Sequence, residues 1–214
     1  MSPIYDITRT ISPGLAVWPG DTPFSFQQIL ARGAGDPVNL TTLVLGAHTG
    51  SHIDAPYHYD DGGAHPADLP LGQYVGPAHV LTVARRHGGI VPEDFSGHEL
   101  ADVERLIIHT WVGDLPDEQW PEDFPYLTLE LVDWLVARDV VLLGVDMPSV
   151  DQFGDDRLSC HHRLTQHGIA ILETLTLAGV PDGIYELVAL PLKIAGVCGS
   201  PVRAILRTMA EVQS

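Results

Sequence analysis

The 214-residue chain is poor in cations, in cysteine and in long apolar runs. It sets 11 Lys and Arg against 28 Asp and Glu, a formal net charge of −17. So acidic a surface is repelled by phosphate backbones and anionic lipid heads, which argues against nucleic-acid binding and against membrane attachment. Only Cys160 and Cys198 occur, too few for a disulfide framework in a chain this size. No stretch approaches the roughly 18 apolar residues that a membrane span needs. The opening MSPIYDITRT lacks a basic segment followed by an apolar run, so it does not read as a secretory signal. These absences predict a cytoplasmic, reduced protein. Internal repeats and low-complexity tracts are also missing. Charged residues make up only 18 % and apolar residues 45 %, a balance that fills a core and argues against disorder. No linker divides the chain, so residues 1–214 are expected to form one domain.

What is present is punctuation and histidine. The 21 Gly and 17 Pro are scattered, as in a strand-rich chain with tight turns. Strands are expected at residues 4–8, 41–45, 78–84, 105–110, 140–145, 169–172, 185–192 and 202–207. Residues 127–139 carry apolar positions at one-turn spacing after Thr128, a candidate N-cap, with Glu130 in the first turn; this predicts a helix. Residues 158–168 predict a shorter one stopped by Gly168. The expected class is α/β, with many strands and few helices. Pro13-Gly14 and Pro19-Gly20 bracket a loop that carries Trp18.

The chemistry concentrates in His48-Thr-Gly-Ser-His52-Ile-Asp54-Ala-Pro-Tyr-His58. Gly50 and Pro56 oppose a helix here. In an extended chain His52 and Asp54 share a face, whereas a straight strand would leave His48 roughly 13 Å from His52. A sharp turn at Gly50 could bring His48 back. Imidazoles and a carboxylate converging in this way suit Zn²⁺, and Mn²⁺ or Fe²⁺ less well; the absence of cysteine from the cluster favours a catalytic over a closed structural site. A second cluster, Cys160-His161-His162 with Glu173, lies far along the chain. Glu173 follows three apolar residues, so its carboxylate is expected to be buried and to need a partner, either a metal or an arginine. Periodicity does not decide between His161 and His162. Cys160 reads as a small buried residue, Cys198 as structural, and Asp146 and Asp151 as turn and capping residues. His65, His79, His87, His98, His109 and His167 lack partners at ligand spacing and read as structural or surface residues.

The segment HTGSHIDAPYH resembles the HxGTHxDxPxH signature of the cyclase family of metal-dependent amidohydrolases. VWPGDTPF, PVNL, LLGVDMPSVD, YELVALPL and GSPVRA resemble the bacterial kynurenine formamidases within that family. The resemblance implies a swivelling β/α/β-type fold, a homodimer and two zinc ions per subunit. It assigns His48 and His52 to the first ion, Asp54 and Glu173 as bridges between the two, and His161, twelve residues before Glu173, to the second. It makes His58 the general acid/base, with a third-ligand role as its rival. Trp18 becomes a contact for the substrate ring, against the alternative of a loop aromatic packed on the surface. The implied reaction is hydrolysis of N-formyl-L-kynurenine to L-kynurenine and formate by a hydroxide held between the ions. One departure stands out: where those formamidases carry Ser-Lys before the His pair, this chain reads FGDDRLSCHH. Either Arg157 replaces the lysine charge or the substrate is another aryl amide or a cyclic amide such as isatin.

Overall fold

The computed structural model describes residues 3–98, 100 and 103–209. In chain order these form β1 (Ile4–Asp6), β2 (Ser25–Leu30), β3 (Leu40–Val44), β4 (His52–Asp54), β5 (Val75–Thr82), β6 (Gly89–Ile90), β7 (Arg105–His109), β8 (Tyr126–Leu127), α1 (Leu129–Val136), β9 (Leu142–Val145), α2 (Ser159–Gln166), β10 (Ala170–Glu173), β11 (Gly183–Val188), β12 (Gly199–Pro201) and β13 (Ile205–Thr208), with short 3-10 turns between them. The expected strand-rich α/β class is what the chain adopts.

A mixed sheet runs β1-β13-β11-β5-β7-β9-β10-β4-β12. Its centre, β5-β7-β9-β10, is parallel; its flanks are antiparallel. The central strands read RLIIH, LLGV and AILE because both of their faces are covered. Leu106, Ile108, Leu143 and Ile171 face α1 and α2, packing with Leu131, Leu135 and Leu164. Ile107, Leu142 and Leu172 face the other way, into a second core with Ile7, Ile53, Leu187 and Leu206. Strands from both flanks therefore meet across that core, so the sheet curls on itself.

Both helices stand close to where the sequence puts them, but shorter. Thr128 caps α1, accepting the Leu131 N–H at 3.2 Å. Residues 126–127 are strand instead, because they pair in parallel with β6, Tyr126 N bonding the Gly88 carbonyl and Thr128 N the Ile90 carbonyl. The expected strand over 185–192 stops at Val188, since Ala189 N turns to Tyr74 O and Pro191 has no donor for a ladder. The β2–β3 ribbon was legible only on its β3 side; it forms a separate two-stranded sheet. Among the described residues no helix is long and apolar enough to cross a membrane.

The fold sets the site by register. On β4, Ile53 points into the second core while His52 and Asp54 project together to the other face. The antiparallel pairing with β10 places Glu173 opposite His52.

Candidate metal centre

Gly50 sits at φ +68°, the left-handed region that favours glycine. The turn there brings the His48 and His52 rings to 4.9 Å between centroids, so the expected return of His48 occurs. Gly199 makes room for it: a Cβ there would stand 2.8 Å from His48 Cε1. His161 enters from α2, whose inward face carries Cys160, His161 and Leu164; His162 is on the exposed side. Glu173, the last residue of β10, is buried.

These side chains converge. His48 Nδ1 stands 2.9 Å and His52 Nε2 3.4 Å from Asp54 Oδ1, and His161 Nε2 lies 3.7 Å from Asp54 Oδ2. Glu173 likewise divides its oxygens, Oε2 at 3.5 Å from His52 Nε2 and Oε1 at 3.2 Å from His161 Nε2. Each carboxylate thus faces both imidazole sets. Two donors on one tetrahedral zinc stand roughly 3.3 Å apart, so most of these spacings suit ligands of common ions. Asp54 Oδ1 is buried without a hydrogen-bond partner, an orphan that a cation would satisfy. The groups His48–His52–Asp54 and Asp54–His161–Glu173 each form a candidate metal position. The partners of Glu173 are imidazoles and the Val150 N–H at 3.0 Å; no arginine is paired with it among the described residues.

The electrostatics fit a cation site. Burial alone would lower His52, but Asp54 and Glu173 outweigh it and raise its pKa to about 10. Burial is likewise outweighed at His161, where Asp151 and Glu173 raise the pKa to about 10. Burial would raise Asp54, yet His48 and His52 hold it well below the usual carboxylate range. The donor set, left to itself, binds protons where a metal would displace them. Desolvation lowers His58, against the pull of Asp54. The His58 ring lies tilted against the His48 ring, centroids 4.1 Å apart.

A cavity of about 520 Å³ opens above these groups. Its wall includes Trp18, Trp120, Gln152, Asp155, Asp156 and Leu158. Trp18 packs edge-on against Trp120 at 5.6 Å and lies 5.2 Å from Phe153; it remains 40 % exposed, so it both lines the cavity and packs at the surface. Arg157 does not join the wall. Its side chain is 82 % exposed and pairs with Asp155, so of the two alternatives for the departure before the His pair, a lysine-like charge from Arg157 finds no support; a guanidinium two residues from a carboxylate finds its partner locally.

Sequence reasoning missed three contacts. Tyr59, next to His58, donates its hydroxyl to Asp54 Oδ2. Asp151 caps α2 as expected, accepting the N–H groups of Cys160 and His161, and also lies 2.7 Å from His161 Nδ1. Cys198 Sγ lies 3.2 Å from His48 Nε2. Only Tyr59 carries a local signal, its adjacency to the motif; the other two approach across 10 and 150 residues. Asp146 does not form a local turn: fully buried, it accepts from Thr110 and Gly113, 36 and 33 residues away, and burial raises its pKa to about 6 against those bonds.

Comparison with known proteins gives the chain a family. The Cyclase family model matches residues 5–152. The chain is 41 % identical over 202 residues to a kynurenine formamidase of Bacillus cereus, covering 94 % of this chain and 96 % of that one. It is 39 % identical over 209 residues to a kynurenine formamidase of Maricaulis maris, covering 98 % and 100 %. Among solved structures it shares its fold with a potential metal-dependent hydrolase with cyclase activity, at TM-score 0.85 and 24 % identity, covering 98 % of this chain and 100 % of that one. Isatin hydrolase A from Labrenzia aggregata has the same fold, at TM-score 0.82 and 23 % identity, covering 97 % and 94 %. With a family match over most of its length and relatives near this identity over nearly all of it, the chain belongs to the cyclase family.

Proposed function

We propose that the protein is a zinc-dependent arylformamidase that hydrolyses N-formyl-L-kynurenine to L-kynurenine and formate. The observation that carries this reading is the convergence of His48, His52 and His161 with Asp54 and Glu173 at the floor of an aromatic-walled cavity. His48, His52, Asp54 and Glu173 would hold one zinc ion, and Asp54, His161 and Glu173 a second. When bound, such ions lower the pKa of water and polarise a carbonyl oxygen. The chain's own groups supply the rest. Trp18, steadied by Trp120 and Phe153, stacks on the substrate's aryl ring and holds the formamide over the floor. Water adds to the formyl carbon and the C–N bond breaks. His58, at the cavity rim, takes the proton from water and returns it to the departing aryl nitrogen.

The reading includes a homodimer in the cytoplasm. Phe26, Ile29, Leu40, Leu43 and Val44 are exposed on the β2–β3 ribbon, as are Leu190, Leu192 and Ile194 beyond β11. A lone ribbon is marginal in water, and a second copy is the cover that such apolar surface calls for.

The test is metal content per chain and turnover of N-formyl-L-kynurenine on one preparation. Near two ions per chain, with turnover lost on chelation and restored by Zn²⁺, supports the reading. Two ions without turnover removes the substrate and keeps the metal centre. A second reading, a hydrolase of another aryl amide or of a cyclic amide such as isatin, is favoured by the wall itself. Asp155 and Asp156 line it, and none of its lining residues is Lys or Arg to meet the substrate's carboxylate.

A further inference from the structure

We propose that two positioning residues, Asp151 behind His161 and Cys198 behind His48, make the two metal positions unequal. The Asp54–His161–Glu173 position holds its ion tightly, and the His48–His52–Asp54 position releases its ion first. The inference rests on the metal reading above.

Each imidazole turns one ring nitrogen to the shared carboxylates and the other to an outer partner, and the outer partners differ in kind. His161 presents Nε2 to Glu173 and Nδ1 to Asp151 Oδ2, 2.7 Å away. Asp151 is itself fixed: it is 4 % exposed, accepts the N–H groups of Cys160 and His161 at 2.9 and 3.0 Å, and donates its own N–H to Ser149 Oγ. An anchored carboxylate behind a ligating imidazole sets its tautomer, fixes its orientation and raises its basicity. His52 is backed at 2.8 Å by the Gly50 carbonyl, a neutral acceptor. His48 is backed by the Cys198 thiol at 3.2 Å, and sulfur is a weak acceptor. Its side chain is also the most open of the three, 20 % exposed against 4 % for His52 and 5 % for His161. Otherwise the His48 ring rests against the His58 ring, centroids 4.1 Å apart, and over Gly199, where a Cβ would collide with it. One position is therefore braced by charge from a helix start, the other by packing and a soft acceptor on a loop.

The test is stepwise chelator extraction of the full-length protein, with metal content read by mass spectrometry, alongside calorimetric titration of the apo-protein with Zn²⁺. Two separated steps are expected. His48→Ala should abolish only the weaker step. Asp151→Asn keeps a capping oxygen for α2 and should weaken only the tighter step, by about 10–100-fold, merging it with the other. Cys198→Ala should weaken only the weaker step, by less than that, and Cys198→Ser should recover part of the loss. Two ions leaving together with equal affinity from the unaltered protein would overturn the inference and leave the metal reading standing. So would an Asp151→Asn protein whose tight step is unmoved. A protein that binds no Zn²⁺ at all would overturn both.

Discussion

β4 with β10 and β2 with β3 are both antiparallel pairs, and they break opposite rules. All seven residues of β4 and β10 are buried, among them His52, Asp54 and Glu173. The ribbon is exposed along nearly all its length, and what it exposes is Phe26, Ile29, Leu40, Leu43 and Val44. One pair buries charge and the other leaves apolar surface in water. A buried charge needs a counter-charge, and an exposed apolar strip needs cover. Under the proposed function the two pairs call for different company, small cations at the first and another copy of the chain at the second.

The largest effect is expected where the buried charge is removed. Asp54 faces both imidazole sets, so Asp54→Ala should lose bound metal and turnover together. Turnover should fall by on the order of 10³-fold or more, as expected for losing several kcal/mol of transition-state stabilisation. Elemental analysis and a kynurenine absorbance assay read both. An Asp54→Ala protein with full metal content would mean that the buried charge serves something other than an ion. His58→Ala sharpens the same side: metal should be retained while turnover drops by roughly 10²–10⁴-fold. Loss of metal instead would make His58 a ligand.

The ribbon comes next. A paired Phe26→Asp and Leu43→Asp change places two carboxylates on the exposed strip. The two residues are cross-strand partners, so the charges also repel one another. If a second chain covers the strip, sedimentation should show dissociation to monomer, with the dimer weakened roughly 30-fold or more, the scale of a lost interface hot spot. Metal content should hold, because the ribbon contributes none of the converging donors. Unchanged sedimentation would leave the exposed strip without its proposed cover.

The same contrast explains what the sequence revealed. His48, His52, Asp54 and His58 were legible because rare residue types recur at short spacing. The period of two put His52 and Asp54 on one face, and the Gly50 turn was the one device that could return His48. The central strands were legible as unbroken apolar runs. The choice of His161 over His162 came from the resemblance and its twelve-residue spacing; α2 turns His161 inward and leaves His162 exposed. The ribbon was half read because Ser25–Leu30 runs SFQQIL, which breaks the polar–apolar alternation of a strand, and almost none of it is buried. Asp151 and Cys198 carried no local signal of their contacts with the imidazoles, since tertiary approach creates them.

The smallest effect tests whether charge matters only where it is buried. Arg85 and Asp94 form a two-pronged pair near the surface, Nε to Oδ2 at 2.8 Å and Nη2 to Oδ1 at 3.0 Å, and Asp94 also accepts the Val91 N–H. Burial would raise the Asp94 pKa, but Arg85 and the Val91 N–H outweigh it and hold it below 3.8. A carboxyl whose pKa is lower folded than unfolded adds stability above its unfolded pKa. It loses that contribution as pH falls through the folded value. Asp94→Ala should therefore cost about 0.2–1 kcal/mol near pH 7, the range of exposed ion pairs. In a chain this size that is a melting shift of roughly 1–4 °C. The deficit should shrink below about pH 4 and in about 1 M salt, where the pair is protonated or screened. Thermal unfolding at several pH values reads it. A deficit well above about 1 kcal/mol, insensitive to salt, would show that solvated pairs also carry this fold, and the division between a charged floor that needs ions and a surface whose charges water already satisfies would no longer hold.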